Sequence, residues 1–149
     1  MKLYLVRHAK AGERLDDLAI DRDRPLSKPG RRQADKIAEF FLDSKAEEII
    51  SSPYRRCIQT MKPAAEELSL NVDTREALAE ETSISALAQL VAEILENGRP
   101  IAVCSHGNVI PAMLRILDLY GPDTMVCAKG SIYAIDTSTA AVQYFPNPL

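Results

Sequence analysis

Residues 3 to 6, Leu-Tyr-Leu-Val, form an unbroken apolar run, the pattern of a strand covered on both faces. The polar stretch from Gly12 to Pro25 reads as a loop. Ser27 then caps a helix beginning near Lys28, with Pro29 tolerated in its first turn, and Ala34, Ile37, Ala38 and Phe41 share one face until about Leu42. Residues 47 to 50, "EEII", predict a second strand. After it Ser52 is placed as a helix cap and Pro53 at the first helical position, and Ile58, Met61, Ala65 and Leu68 carry the apolar stripe onward. Pro63 lies inside that stripe and predicts a kink or a break, because it lacks an N–H and its ring crowds the preceding turn.

Beyond a short "LNV" strand around residue 72, Ser83 opens an amphipathic helix through Ile84, Leu87, Ala88, Val91 and Ile94, stopped by Asn97-Gly98. "IAVC", residues 101 to 104, is the third main strand. A helix bearing Val109, Ile110, Met113, Leu114 and Leu117 follows "SHGN", and "SIYAID" and "AVQYF" alternate as a closing hairpin does. Alternating strands and helices predict a three-layer α/β/α sandwich with a mostly parallel central sheet and an antiparallel element near the C-terminus. No repeat, low-complexity tract or linker divides the chain, so residues 1–149 are expected to form one domain.

Composition narrows the function. The 149 residues are 46% hydrophobic, enough for a substantial core, and 18 Lys and Arg stand against 21 Asp and Glu for a formal net charge of −3. That balance gives no global attraction to nucleic acid or an anionic membrane, so any anion site is local. Cys57, Cys104 and Cys127 are odd in number and widely spaced, which favours reduced thiols over a disulfide framework or a zinc site. One Lys before a four-residue apolar run falls far short of a signal peptide's core, and no stretch approaches a membrane span. The expectation is a soluble cytoplasmic protein.

The layout also places chemistry. Arg7 and His8 fall just past the first strand, Arg56 in the first turn of the helix after the second, and His106 just past "IAVC". All four are expected at the carboxyl edge of the sheet, where open parallel sheets hold ligands and helix N-termini point N–H groups at them. Two arginines and the chain's two histidines describe a site for a dianionic phosphate. Arginine's planar fork holds two phosphoryl oxygens and keeps its charge. A histidine beside it is a nucleophile when neutral, with one ring nitrogen tied down and the other facing phosphorus. The leaving group needs an acid, and Glu80 or Glu81 in "LAEET" is placed to supply one.

"LVRHAKA" resembles the R-H-G type signature of the histidine phosphatase superfamily, which includes cofactor-dependent phosphoglycerate mutases and acid phosphatases. "PLSKPGRRQA", "SSPYRRCIQT" and "SHGNVI" are similar to three further motifs of that family and occur in the same order, across residues 4 to 110. The resemblance implies a phosphoglycerate mutase-like fold, His8 as the phosphorylated nucleophile, and Arg7, Arg56 and His106 as binders of the phosphoryl group. It selects Arg56 over Arg55 and puts the acid at Glu80, in "LAE", with Glu81 behind it. Short length and "RHAKA" resemble the small SixA-type branch, which includes phosphohistidine phosphatases; related domains are fused to some Nudix hydrolases.

The chain is therefore expected to be a phosphatase that needs no metal or cofactor and acts on a phosphorylated small molecule or a phosphohistidine protein. The competing readings are a phosphoglycerate mutase-type phosphotransferase and a catalytically weak phosphate-binding module. Lys10 stands where many relatives carry an acidic residue, and its charge bears on substrate choice. The run "ERLDDLAIDRDR" reads as a solvated loop of mixed charge, with Arg22 and Arg24 as candidates for contacts outside the phosphoryl pocket. The terminal "YFPNPL" is expected to pack on the domain or meet a partner.

Overall fold

The computed structural model describes residues 1–146. Six strands form one sheet: β1 (Lys2–Arg7), β2 (Glu48–Ser51), β3 (Val72–Thr74), β4 (Ile101–Ser105), β5 (Ile132–Asp136) and β6 (Ala141–Phe145). Their spatial order is β3-β2-β4-β1-β5-β6. The β2–β3, β2–β4 and β1–β4 pairs are parallel, and β1–β5 and β5–β6 are antiparallel. The helices are α1 (Leu18–Arg22), α2 (Lys28–Phe41), α3 (Arg55–Leu68), α4 (Ile84–Asn97) and α5 (Val109–Ile116).

Alternation along β1 divides the core. Leu3 and Leu5 pack with Leu87, Val91 and Met113 of α4 and α5, whereas Tyr4 and Val6 pack with Ile37, Phe41 and Met61 of α2 and α3. Successive strand side chains point to opposite faces, so a run apolar at every position needs a layer on each side. The result is the three-layer sandwich expected from the sequence.

Local signals account for most boundaries. Ser27 accepts a hydrogen bond from the Gly30 amide at the start of α2, Ser83 does the same for Ala86 in α4, and Gly98 closes α4 with φ 73°. Three expectations change. The stretch 12–25 contains the short helix α1, capped by Asp17, whose side chain accepts from the Ala19 and Ile20 amides. α3 is capped at Tyr54 and not at Ser52, and begins at Arg55. It then runs through Pro63 without a break; its buried face, including Met61, Ala64 and Ala65, is held against the sheet. Tertiary packing offsets the lost intrahelical bond. At the chain's end Phe145 meets the Phe40 ring at 4.8 Å, while residues 147–149 of "YFPNPL" lie outside the described residues.

Candidate active site

Strand register decides which side chains meet. Arg7 pairs with Ser105 across β1 and β4, so the next residues, His8 and His106, leave the sheet side by side with ring centroids 5.4 Å apart. Ser51 pairs with Cys104 on β4's other flank, bringing the start of α3 and Arg56 to the same end. Glu80 enters from the turn before α4. Together they line a cleft of about 880 Å³, at the edge expected from the sequence.

Backbone bonds fix the His8 loop. The His8 amide donates to the Ser105 carbonyl at 3.0 Å, and the Gly130 amide donates to the Arg7 and His8 carbonyls at 3.1 Å each. Gly130 does so with φ 77°, a conformation that favours glycine. The Ala9 amide donates to Thr60 Oγ1 at 2.9 Å, and that hydroxyl donates to the Arg56 carbonyl at 2.6 Å, joining the loop to α3. The Lys10 amide donates to Gln33 Oε1 at 2.7 Å. α2 comes so close that a Cβ on Gly30 would run into the Lys10 carbonyl oxygen.

The His8 ring is set by one contact. Nδ1 lies 2.8 Å from the Ala9 carbonyl, and a carbonyl only accepts, so Nδ1 carries the proton and Nε2 the lone pair. Burial, opposed by the Ala9 bond and reinforced by Arg56, Arg7 and Lys129, pulls the ring's pKa down to about 3. His8 is therefore neutral at pH 7.

His106 is held the other way round. Nε2 lies 2.8 Å from Ser52 Oγ, and the Tyr54 amide donates to the same oxygen at 3.2 Å. The Ser52 hydrogen is then free to point at Nε2, an arrangement that leaves the ring proton on Nδ1, toward Glu80. Nδ1 is buried without a hydrogen bond, 3.9 Å from Glu80 Oε2. Burial, with His8, Arg56, Arg14 and Arg7 adding to it, brings this ring down to about 2.

The two arginines are equally constrained. Arg7 Nη1 donates to the Cys127 carbonyl at 2.6 Å, and its guanidinium lies flat against Gly107, where a Cβ would stand 2.7 Å from Arg7 Cζ. Arg56 Nη1 donates to the Asp21 carbonyl and Nη2 to Glu80 Oε2, both at 2.9 Å, with the guanidinium 4.8 Å from the Tyr54 ring centre. Both Nε atoms are buried without a partner. Arg55 points outward, with Asp23 at 3.8 Å.

The adjacent glutamates diverge. Glu80 faces the cleft and ion-pairs with Arg56 and Arg14. Glu81 turns away: Tyr54 donates to it at 2.5 Å and Arg22 at 3.3 Å. The Tyr54 bond, against some burial, holds the Glu81 carboxyl below its usual range.

Sequence reasoning missed Asp21, which is 1% exposed although it sits in a run of mixed charge that looks solvated. Its Oδ1 accepts from the Leu15 amide at 3.0 Å and Arg24 Nε at 2.9 Å. Burial pushes the carboxyl up, but the Leu15 amide, Arg24 and Arg56 outweigh it and hold it below the usual range. The available signal was Asp21 three residues before Arg24, directly ahead of "PLSKPG". Ser52 and Thr60 lie within "SSPYRRCIQT", but that motif does not disclose their partners. Lys129 also lines the cleft, and nothing in the sequence around it marks it.

Two buried histidines with the half-buried Arg7 and the buried Arg56, at the carboxyl edge of an α/β sheet, have the charge and arrangement that suit an anion such as a phosphoryl group. The family model for the histidine phosphatase superfamily (branch 1) matches residues 3–83, and the chain belongs to that superfamily. Among individual relatives, the 8-oxo-(d)GTP phosphatase of Mycolicibacterium smegmatis is 31% identical over 142 residues, covering 91% of this chain and 44% of that protein. The chain thus spans under half the length of that relative. A SixA structure from Agrobacterium tumefaciens aligns with a TM-score of 0.80 at 21% identity, covering 97% of this chain and 96% of the other. The protein histidine phosphatase SixA complexed with tungstate aligns at 0.76 and 18% identity, covering 97% and 94%. These similarities identify the fold as phosphoglycerate mutase-like. Among the described residues no helix is long and apolar enough to cross a membrane.

Proposed function

We propose that the protein is a metal-independent phosphatase that hydrolyses a phosphomonoester or a phosphohistidine through a covalent phospho-His8 intermediate. The observation that carries this reading is the His8–Ala9 contact, which leaves a neutral ring with its Nε2 lone pair available at the cleft. Nε2 attacks phosphorus, a P–N bond forms, and the bond to the leaving group breaks. Arg7 and Arg56 hold the phosphoryl oxygens, supplying the positive charge that other phosphoryl-transfer sites take from magnesium. His106 Nδ1–H, buried and unpaired, donates to a further oxygen.

Glu80 acts as acid, then as base. In the free site its carboxylate is paired with Arg56 and Arg14. An incoming phosphoryl group takes over Arg56 and adds negative charge nearby, and both changes raise the carboxyl's proton affinity. Glu80 protonates the leaving group, and its carboxylate then takes a proton from the water that attacks phospho-His8 and frees the ring. Positioned proton transfer of this kind contributes roughly 10²- to 10⁴-fold in rate.

The test combines rapid acid-labile phosphoenzyme trapping with His8→Ala. Phosphate bound through an alkali-stable, acid-labile linkage in the wild type and absent in the variant, with turnover abolished and wild-type turnover unaffected by EDTA, is the expected result. Retained turnover in His8→Ala overturns the mechanism.

A further inference from the structure

The cleft holds more positive charge than one phosphoryl group uses. Its lining includes Arg7, Lys10, Arg14, Arg24, Arg56 and Lys129 against two carboxylates, Glu13 and Glu80, in a protein of net charge −3. Arg7 and Arg56 belong to the phosphoryl pocket. Arg14 is paired with Glu80, and Arg24 with Asp21 at 2.9 Å. That leaves Lys10 and Lys129, whose ammonium groups have no ion-pair or hydrogen-bond partner among the described residues.

Both lysines ride on backbone fixed beside His8. Lys10 is two residues after it, with its amide on Gln33 and its carbonyl accepting from the Ser27 amide at 3.0 Å and hydroxyl at 3.1 Å. Lys129 immediately precedes Gly130, whose amide is bonded to the Arg7 and His8 carbonyls. Burial together with Arg7, Arg24, Lys10 and Arg56 lowers the Lys129 pKa, which marks a group crowded by like charge. Two unpaired lysines on the lining of one cleft, each anchored through its backbone beside His8, repel each other, and an anion bound in the cleft relieves that repulsion.

Resting on the reading of the cleft as a phosphoryl site, we propose that Lys10 and Lys129 form a subsite for a second anionic group adjoining the transferred phosphoryl. The substrate class is then a small phosphate with a neighbouring negative charge, either the terminal phosphate of a diphosphate or a phosphate ester bearing a carboxylate. With a diphosphate, Nε2 of His8 bonds the terminal phosphorus, the bridging P–O bond breaks, and the departing monophosphate takes the Glu80 proton while Lys10 and Lys129 balance its charge. A protein phosphohistidine carries one phosphoryl dianion and leaves as imidazole, so it gains nothing from this pair.

Binding separates the subsite from the chemistry. Calorimetric titration of the unmodified chain with inorganic phosphate, pyrophosphate and phosphoglycerate is expected to give affinities at least about tenfold higher for one or both doubly anionic ligands, as charge-assisted contacts provide. In Lys10→Met/Lys129→Met that ratio falls to within about twofold, whereas Lys10→Arg/Lys129→Arg keeps it because the charge remains. Preference for pyrophosphate identifies the phosphate source and preference for phosphoglycerate the carboxylate. Equal affinity of the wild type for all three, or a preference that survives the double Met variant, overturns the proposal. Because binding needs no turnover, failure of the phospho-His8 mechanism leaves this test intact.

Discussion

Asp21 and Arg56 meet in a contact almost closed to solvent: Oδ2 lies 3.4 Å from Arg56 Nη2, the Asp21 carbonyl accepts from Nη1 at 2.9 Å, and the two residues are 1% and 2% exposed. One residue of α1 therefore holds an arginine of α3 in the cleft through both its side chain and its backbone. The same carboxylate collects the Leu15 amide and Arg24, so the wall of the cleft and Arg56 share a single support.

Asp21→Asn keeps the shape and removes the charge. Breaking one partner of a buried pair costs a few kcal/mol, on the order of 3, and a drop in the urea midpoint is expected. Because Arg56 loses its counter-charge while staying folded in place, KM should rise more than kcat falls. An unchanged KM would show that Arg56 is positioned without Asp21.

Ser52→Ala removes the hydroxyl that orients His106. With only the weaker Cys57 Sγ contact at 3.6 Å left on Nε2, the ring proton is free to move there, and Nδ1 then offers no donor to the cleft. A wrong tautomer reduces catalysis, here by roughly tenfold or more, with the fold's CD spectrum preserved. Equal rates for variant and wild type would remove Ser52 from the site.

Two glycines separate activity from folding. Gly107→Ala drives a methyl group into the Arg7 guanidinium, so the expected effect is weakened phosphate binding in a folded protein. Gly30→Ala drives one into the Lys10 backbone carbonyl, which cannot swing aside, so stability falls by roughly 1–3 kcal/mol, as for overpacking elsewhere. Phosphate titrations and thermal melts of the two variants distinguish these outcomes; the reverse pattern would contradict the geometry.

Acid should destabilise the protein earlier than carboxylates alone would cause. The two rings sit at about 3 and about 2 when folded, against about 6.5 in an unfolded chain. The unfolded state therefore binds more protons as pH falls below about 6.5, and stability decreases from there toward about 3, by up to roughly 1.4 kcal/mol per pH unit for each ring. Urea midpoints at pH 7, 5.5 and 4.5 test this, and His106→Gln should flatten the slope. A midpoint constant from pH 7 to 4.5 would place the histidines' protons differently.

Periodicity and edge placement made much of this molecule legible. The apolar run of β1, the caps at Ser27 and Ser83 and the stop at Gly98 are local signals, and they appear where the sequence put them. Arg7, His8, Arg56 and His106 converge because each lies at or soon after the carboxyl end of a strand, a relation that chain order alone conveys, although Arg7, expected just past β1, is its last residue. Asp21 was hidden because burial of a charge is decided by what folds over it: "AIDRDR" looks solvated until its own Arg24 turns back onto Asp21 and Arg56 of α3 closes over it. The residue pattern left Glu80 and Glu81 open and only the family resemblance favoured Glu80, since Tyr54 and Arg22 turn Glu81 outward only in three dimensions. Pro63 misled for a similar reason, as packing of α3 outweighs one missing bond.

The position of β1 has a consequence in time. It is paired with β4 over Leu3–Arg7 and with β5 over Lys2–Val6, so the amides of its central residues are expected to exchange with solvent only when the whole molecule opens. Residues 12–20 are instead exposed, and apart from the buried anchor of Asp21 on Arg56 the stretch is held by surface bonds such as Arg22 to Glu76 at 2.8 Å, the kind that opens locally. The cleft therefore has a floor and a wall with separate clocks. The exposed bonds of that wall are expected to open and close many times before the strand presenting His8 opens once.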